Sequence, residues 1–161
     1  MDFLWTPWRY RYIAEAAKDA AGCIFCDALA ANDDAQTLIV SRHVKNFIIL
    51  NRFPYTTGHL MIVPYAHVAE LSLAEPDTLA EMMRLGQRVQ VALENVYHPH
   101  GYNLGMNLGR AAGAGVTGHI HLHFLPRWTG DANFMTVIAE TRMEPEDLSA
   151  TYTKLRAALA G

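Results

Sequence analysis

The chain is short of charge, of basic excess and of long apolar runs. Lys and Arg number 13, Asp and Glu 16, and the net charge is −3 in 161 residues. Charged residues make up 18 % of the sequence and hydrophobic ones 51 %, which excludes a disordered polyelectrolyte and fits a globular chain. Without a basic surplus, a general nucleic-acid binder is excluded, because such proteins present a basic face to phosphates. Room remains for a local anion pocket. No apolar run reaches the roughly 18 residues that read as a membrane-spanning helix, so no membrane partner is expected. The opening Met1-Asp2-Phe3-Leu4-Trp5-Thr6-Pro7-Trp8-Arg9 lacks the basic leader and apolar core of a signal peptide. The expected location is therefore cytoplasmic, where the two cysteines, Cys23 and Cys26, stay reduced. There is no internal repeat and no linker. The length fits one domain with a sizeable core.

What is present in excess is histidine, and it is placed with order. Gly118-His119-Ile120-His121-Leu122-His123-Phe124-Leu125-Pro126-Arg127-Trp128 alternates three histidines with three large apolar residues. A β-strand sends successive side chains to opposite faces, so His119, His121 and His123 share one face and Ile120, Leu122 and Phe124 the other. Alternate residues along a strand lie roughly 6–7 Å apart. Imidazoles that close resist triple protonation, which leaves at least one neutral ring as a ligand, base or nucleophile at neutral pH. The competing reading is a histidine-rich hairpin that merely faces water.

The rest of the chain reads as support for that strand. Residues 1–12 are aromatic and basic and read as an arm packed on the domain or on a second subunit. Ile13 to Ala21 is alanine-rich and predicts a short helix. Cys23-Ile24-Phe25-Cys26 is half a zinc site, a redox pair or two buried thiols, with His67 and a triad histidine as the candidates to complete a metal site. Residues 30–36 read as a turn or loop. Thr37–Val40, Asn46–Leu50 and His59–Pro64 read as short strands, joined by a polar connection over Asn51–Gly58. Ser72-Leu73-Ala74-Glu75 matches a capping box before a long helix near 76–97, with Leu79, Met82, Met83, Gly86, Val89, Leu93 and Val96 at helical spacing and both methionines expected in the core. Tyr102–Leu108 reads as a strand. The segment Gly109–Gly118 is glycine-rich, which lets backbone N–H groups approach an anion closely, and its position directly before the histidine strand favours a phosphate cradle. It is not a P-loop, because no Gly-Lys-Ser/Thr follows. Asn133–Ile138 reads as another strand, and Pro145 opens a last helix with Leu148, Tyr152, Leu155 and Leu159 on one face. The order of elements predicts an α+β fold with a mainly antiparallel sheet, one long helix and a C-terminal helix.

The run from His119 to Leu125 resembles the histidine triad (HIT) motif, in which histidines alternate with hydrophobic residues. Leu50-Asn51-Arg52-Phe53-Pro54 with Gly58-His59-Leu60-Met61-Ile62-Val63-Pro64 resembles the segment preceding the triad in fragile-histidine-like members. Cys23-Ile24-Phe25-Cys26 is similar to the start of many members. Trp5–Arg9 and Pro126–Met135 resemble a bacterial branch that includes diadenosine tetraphosphate phosphorylases. This resemblance implies a single HIT-like domain over 1–161, with an N-terminal arm over 1–20, a C-terminal helix over 145–161 and a homodimer. It implies His121 as the nucleophile on the α-phosphate of a nucleotide, through a nucleotidyl-imidazole intermediate that a neutral histidine can form without losing a proton. His123 matches the histidine that binds a non-bridging oxygen, and His59 the histidine that orients the triad. Asn51 matches a ribose contact and Asn107 a phosphate contact. Phe25 and Leu50 would line the base pocket, and Gly113, Gly115 and Thr117 would cradle the phosphate. Members with a structural metal imply Cys23, Cys26, His67 and His119 as a closed tetrahedral zinc site.

One departure narrows the branch. Many hydrolytic members carry Ala-Gly-Gln-Ser/Thr before the triad, whereas this chain has Ala112-Gly113-Ala114-Gly115-Val116-Thr117, without glutamine. The expected function is an enzyme cleaving a dinucleoside polyphosphate, with phosphate or water resolving the intermediate. The alternatives are a purine nucleoside phosphoramidate hydrolase and a slow-turnover nucleotide-binding or signalling module.

Overall fold

The computed structural model describes residues 22–131 and 146–160. The expected arm over 1–20, the helix from Ile13, the strand over Asn133–Ile138, Pro145 and Gly161 lie outside the described residues. Among the described residues nine α-helices and strands follow one another: α1 (Ile24–Ala30), α2 (Asp34–Thr37), β1 (Ile39–Arg42), β2 (Asn46–Leu50), β3 (Leu60–Pro64), α3 (Pro76–Tyr97), β4 (Gly101–Gly105), β5 (Leu122–Arg127) and α4 (Leu148–Leu159). The five strands form one sheet in the order β1-β2-β3-β5-β4, every neighbouring pair antiparallel. The α+β reading of the sequence holds. No described helix is long and apolar enough to cross a membrane.

Strands β2 and β3 are buried along their whole length, as their unbroken apolar runs require. Alternation therefore serves two cores. Ile48, Leu50, Leu60, Ile62, Leu122 and Phe124 face Met82, Leu85, Val89 and Leu93 of α3 and Leu155 and Leu159 of α4. Phe47, Ile49, Met61 and Val63 point to the opposite face, where they meet Phe25 of α1. The long helix crosses the histidine strand closely at Gly86, where an added Cβ would sit 3.6 Å from the Phe124 ring. Burying a side chain such as Phe124, which is 1 % exposed, contributes roughly 2–3 kcal/mol and anchors the backbone that carries the histidines.

Several boundaries differ from expectation for identifiable reasons. No capping box forms at Ser72–Glu75: Ser72 lies in a 3-10 turn (Leu71–Leu73) with its hydroxyl on Glu70, and α3 begins after Glu75, whose side chain makes no cap. Pro76 pre-sets the first helical φ and holds Glu75 extended, so the helix cannot start earlier. Met83 is 58 % exposed, because it falls outside the stripe formed by Met82, Leu85, Gly86 and Val89. Helix α3 ends at His98, in the left-handed region at φ 45°, followed by Pro99. The loop expected over 30–36 contains a cap: Asp33 accepts from the Gln36 amide and starts the four-residue α2. β1 and β4 are shifted from their expected spans, beginning at Ile39 and ending at Gly105. Helix α4 starts at Leu148, capped by Asp147, which accepts from the Ser149 and Ala150 amides. The regular part of the histidine strand begins only at Leu122, so His119 and His121 belong to the segment entering it and His123 alone lies within β5.

Candidate active site

The α1 face of the sheet opens into a pocket of about 770 Å³. That is the size of a ligand site, large enough for a nucleotide. One part is apolar, built by Phe25 and Ala28 of α1 with Ile49, Leu50 and Met61 of β2 and β3. Asn51 and Arg52 follow directly from β2, and Asn107, Gly113, Ala114 and Gly115 come from the loop leaving β4. His121 and His123 are exposed to this space at 5 % and 9 %, and they stand in edge-to-face contact, ring centroids 4.8 Å apart. Of the residues expected to bind a nucleotide, Phe25, Leu50, Asn51, Asn107, Gly113, Gly115 and His123 all line the pocket. Thr117 is exposed and lies outside the lining that Gly113 and Gly115 join. Gly113 sits at φ 84°, a conformation that favours glycine and closes the 3-10 turn Arg110–Ala112.

Hydrogen bonds fix the orientation of each triad ring, and each does so differently. The Nδ1 of His121 is 2.9 Å from the carbonyl oxygen of His119, which can only accept. His121 therefore carries its proton on Nδ1 when neutral and leaves the Nε2 lone pair free. His119 is turned the other way: its Nε2 donates to the Pro64 carbonyl at 2.9 Å, freeing Nδ1. The orientation of His123 is set through a relay. The Tyr55 amide donates to Nδ1 of His59 at 3.2 Å. His59 then donates from Nε2 to Nδ1 of His123, 3.0 Å away. The proton of His123 is thereby left on Nε2, making it a donor. His59 is fully buried beneath His123 and lies outside the pocket lining, consistent with an orienting position. A nucleophilic nitrogen and a hydrogen-bond donor thus stand side by side on neutral rings, as attack on a phosphate and stabilisation of its oxygen require.

Burial keeps these rings neutral. It lowers the pKa of His121, against the opposing pull of the His119 carbonyl. It lowers His123 further, to about 4, with repulsion from His121 adding to it. The ordinary histidine value is 6.5, so the unfolded chain takes up this proton at a higher pH than the folded one. The stability contributed by the neutral ring is complete above about pH 6.5 and is lost as pH falls towards about 4. Between pH 7.5 and 5 this amounts to about 2 kcal/mol. Urea unfolding of wild type and His123→Gln at both pH values measures it: the wild type is expected to lose about 2 kcal/mol more than the variant. Equal losses in the two proteins would show that His123 contributes nothing to the acid sensitivity.

A second cluster lies behind the triad. Sγ of Cys23 is 3.3 Å from Nδ1 of His119, Sγ of Cys26 is 3.4 Å from Nδ1 of His67 and 3.8 Å from Nδ1 of His119. All four ligand atoms lie within 4.8 Å of one another. Bond lengths of about 2.3 Å to sulfur and 2.05 Å to nitrogen at tetrahedral angles place S and N about 3.6 Å apart. The three observed separations bracket that value, and the Cys₂His₂ donor set suits zinc. Cys23 sits at the N-terminal boundary of α1 and Cys26 one turn into it, which the sequence reading did not assign as a helix. His67 comes from the loop after β3, and His119 from the segment entering β5.

Sequence reasoning also missed pocket residues on loops. Tyr55 stacks over His59 and His123 at 4.9 and 6.1 Å. Arg52 and Phe53 join the lining from the irregular stretch after β2, Gln36 from the four-residue α2 and Arg110 from a 3-10 turn, segments too short for a periodicity to mark a residue. Phe53 and Tyr55 stand in the polar connection Asn51–Gly58, where two aromatics flanking Pro54 were the only signal available.

A family model described as HIT domain matches residues 32–130. An AP-4-A phosphorylase of Mycobacterium tuberculosis is 39 % identical over 154 residues, covering 92 % of this chain and 79 % of that protein. An uncharacterized HIT-like protein of the same species is 33 % identical over 138 residues, covering 86 % of this chain and 93 % of that one. The crystal structure of a Zn-bound histidine triad family protein from Mycobacterium smegmatis superposes with a TM-score of 0.71 at 31 % identity, covering 87 % of this chain and 94 % of that one. With the triad, the His59 hydrogen-bonded to it and the sheet that carries them, this chain belongs to the histidine triad (HIT) family.

Proposed function

We propose that the protein is an enzyme cleaving dinucleoside polyphosphates such as diadenosine tetraphosphate at the α-phosphate, through a nucleotidyl-His121 intermediate. The observation that carries this reading is the 2.9 Å bond from His121 Nδ1 to the His119 carbonyl, which leaves Nε2 free in the pocket beside the donor on His123. The likeness to the mycobacterial AP-4-A phosphorylase supports the same substrate class.

In this reading the adenine enters the apolar end between Phe25 and Leu50, Asn51 takes the ribose, and Asn107 with Gly113 and Gly115 holds the phosphate. Nε2 of His121 attacks the α-phosphorus. The N–P bond forms, the bridging P–O bond breaks, and the leaving nucleotide departs with the bond's electron pair. His123 donates from Nε2 to a non-bridging oxygen. The positive charge that develops on His121 is met by the carbonyl already bound to its Nδ1–H, so no base is needed to activate the nucleophile. Orthophosphate or water then attacks the same phosphorus, the N–P bond breaks, and the product is ADP or AMP.

Cys23, Cys26, His67 and His119 would hold a structural zinc ion, whose contribution is to tie α1 to the segment entering β5; a Zn-bound relative supports this. A homodimer and a cytoplasmic location complete the proposal. Among the described residues β4 is an edge strand with Leu104 46 % exposed, a surface suited to pairing.

The test is incubation with diadenosine tetraphosphate, with and without orthophosphate, and separation of the products. Phosphate-dependent formation of ADP with ATP is the expected result. AMP with ATP would assign hydrolysis instead. Turnover confined to adenosine phosphoramidate would favour the phosphoramidate hydrolase, and no turnover of any adenylated substrate would leave a binding module and overturn the enzymatic reading.

A further inference from the structure

Among the described residues, the pocket contains one cation with nothing to hold. Arg110 lines it from the 3-10 turn Arg110–Ala112. Its guanidinium has no ion-pair or hydrogen-bond partner among the described residues. The other lining arginine, Arg52, donates to the Gln36 carbonyl at 3.2 Å. Among the described residues, Asp27 is the one acidic group of the lining, and it comes from α1, on the Phe25 side of the pocket.

Sheet order gives the position of Arg110 a direction. The apolar end of the pocket draws on β2 and β3, and the histidines on β5 and the segment entering it. Beyond β5 the next strand is β4, which pairs with it at Gly105 opposite His123. The loop carrying Arg110 leaves from there and returns at His119. A nucleotide with its base at the β2–β3 end and its α-phosphate at His121 therefore runs its remaining phosphates towards the β4 edge.

We infer that Arg110 selects a polyphosphate leaving group by binding the phosphates beyond the one that His121 attacks. The assignment rests on the nucleotidyl-transfer reading of the pocket. Guanidinium suits the task in two ways. It pairs bidentately with phosphate oxygens, and it meets the negative charge that a departing nucleotide accumulates as the bridging P–O bond breaks. It also stays protonated, so it cannot give a proton to a departing amine. An arginine here thus favours leaving groups that depart as anions over the amines released from phosphoramidates.

Two measurements decide it. Calorimetric titration with AMP and with adenosine 5′-tetraphosphate, without added magnesium, compares wild type with Arg110→Ala. The wild type is expected to bind the tetraphosphate at least about tenfold more tightly than AMP, and Arg110→Ala to lose about tenfold on the tetraphosphate and less than twofold on AMP. Arg110 is exposed, so an unchanged Tm is expected to accompany the loss. Kinetically, kcat/KM of Arg110→Ala should fall about tenfold or more on diadenosine tetraphosphate and stay within threefold on adenosine 5′-phosphoramidate. An unaltered tetraphosphate affinity in the variant, or equal losses on both ligands, would overturn the assignment. A wild type that turns over neither substrate would overturn the enzymatic reading alone, because the calorimetric comparison decides Arg110 without turnover.

Discussion

Replacing His121 with alanine is expected to lower kcat on diadenosine tetraphosphate by about ten-thousandfold or more while leaving the Kd for AMP within about threefold. The large effect follows from the arrangement of protons. His121 is the pocket histidine whose Nδ1 is committed to a backbone carbonyl, so its Nε2 is the nitrogen with a lone pair facing the ligand space. The neighbouring His123 cannot substitute, because the relay from the Tyr55 amide through His59 leaves its pocket-facing nitrogen protonated. Binding should survive because the proposed base, ribose and phosphate contacts come from other residues, and the space vacated by the imidazole lies against Phe25, 5.0 Å from its centroid, and His123. His121→Asn, nearer in volume, should show the same loss and so separate chemistry from packing. A second readout follows the covalent step: quenching wild type in alkali during turnover of a substrate labelled at the α-phosphate should leave label on the protein, and neither variant should retain any. Activity within tenfold of wild type in His121→Ala would move the nucleophile to another group.

That contrast between His121 and His123 marks the boundary of what the sequence disclosed. The alternation of histidine with apolar residues was enough to turn Leu122 and Phe124 into the α3–α4 core and to leave His121 and His123 for the pocket. The periodicity of Met82, Gly86, Val89 and Leu93 was enough to find the helix that packs against it. Both are regularities of the local chain. The ring tautomers were not legible, because each depends on a carbonyl or amide brought close through space: Pro64 for His119, His119 for His121, Tyr55 for His59. The helix α1 escaped notice because its seven residues are too few for a hydrophobic period to show. The resemblance put Thr117 in the cradle with Gly113 and Gly115, yet its side chain is exposed and stands outside the pocket lining. Arg110 could not be singled out at all, since an arginine in a glycine-rich loop acquires meaning only when the pocket wall is known.

Loss of the metal cluster is expected to have the largest effect on stability. Protein purified gently and without chelator should carry one zinc ion per chain, and Cys23→Ser should reduce that to near zero and lower Tm by about 10 °C or more. The reason lies in how few other ties hold this side of the fold. Helix α1 has seven residues and no side-chain cap, and Phe25 is its one fully buried side chain. Such a helix is far too short to persist by propensity. Cys23 and Cys26 join it to His67 after β3 and to His119, residues 41 and 96 positions away in the chain from their cysteine partners. Closing loops of that length through a metal gives a stabilisation that the unfolded chain cannot retain, of about 3 kcal/mol or more. His119 then has a double part: its Nδ1 faces the cysteines while its carbonyl holds the proton of His121. Cys23→Ser is thus expected to weaken AMP binding as well, by letting Phe25 leave the apolar end of the pocket, where the proposed function seats the base. Chelation of the wild type should reproduce the fall in Tm, and the variant should not respond to chelator. Zinc-free wild-type protein, or a Tm that chelator leaves unmoved, would show that the four residues hold this side of the fold without a metal.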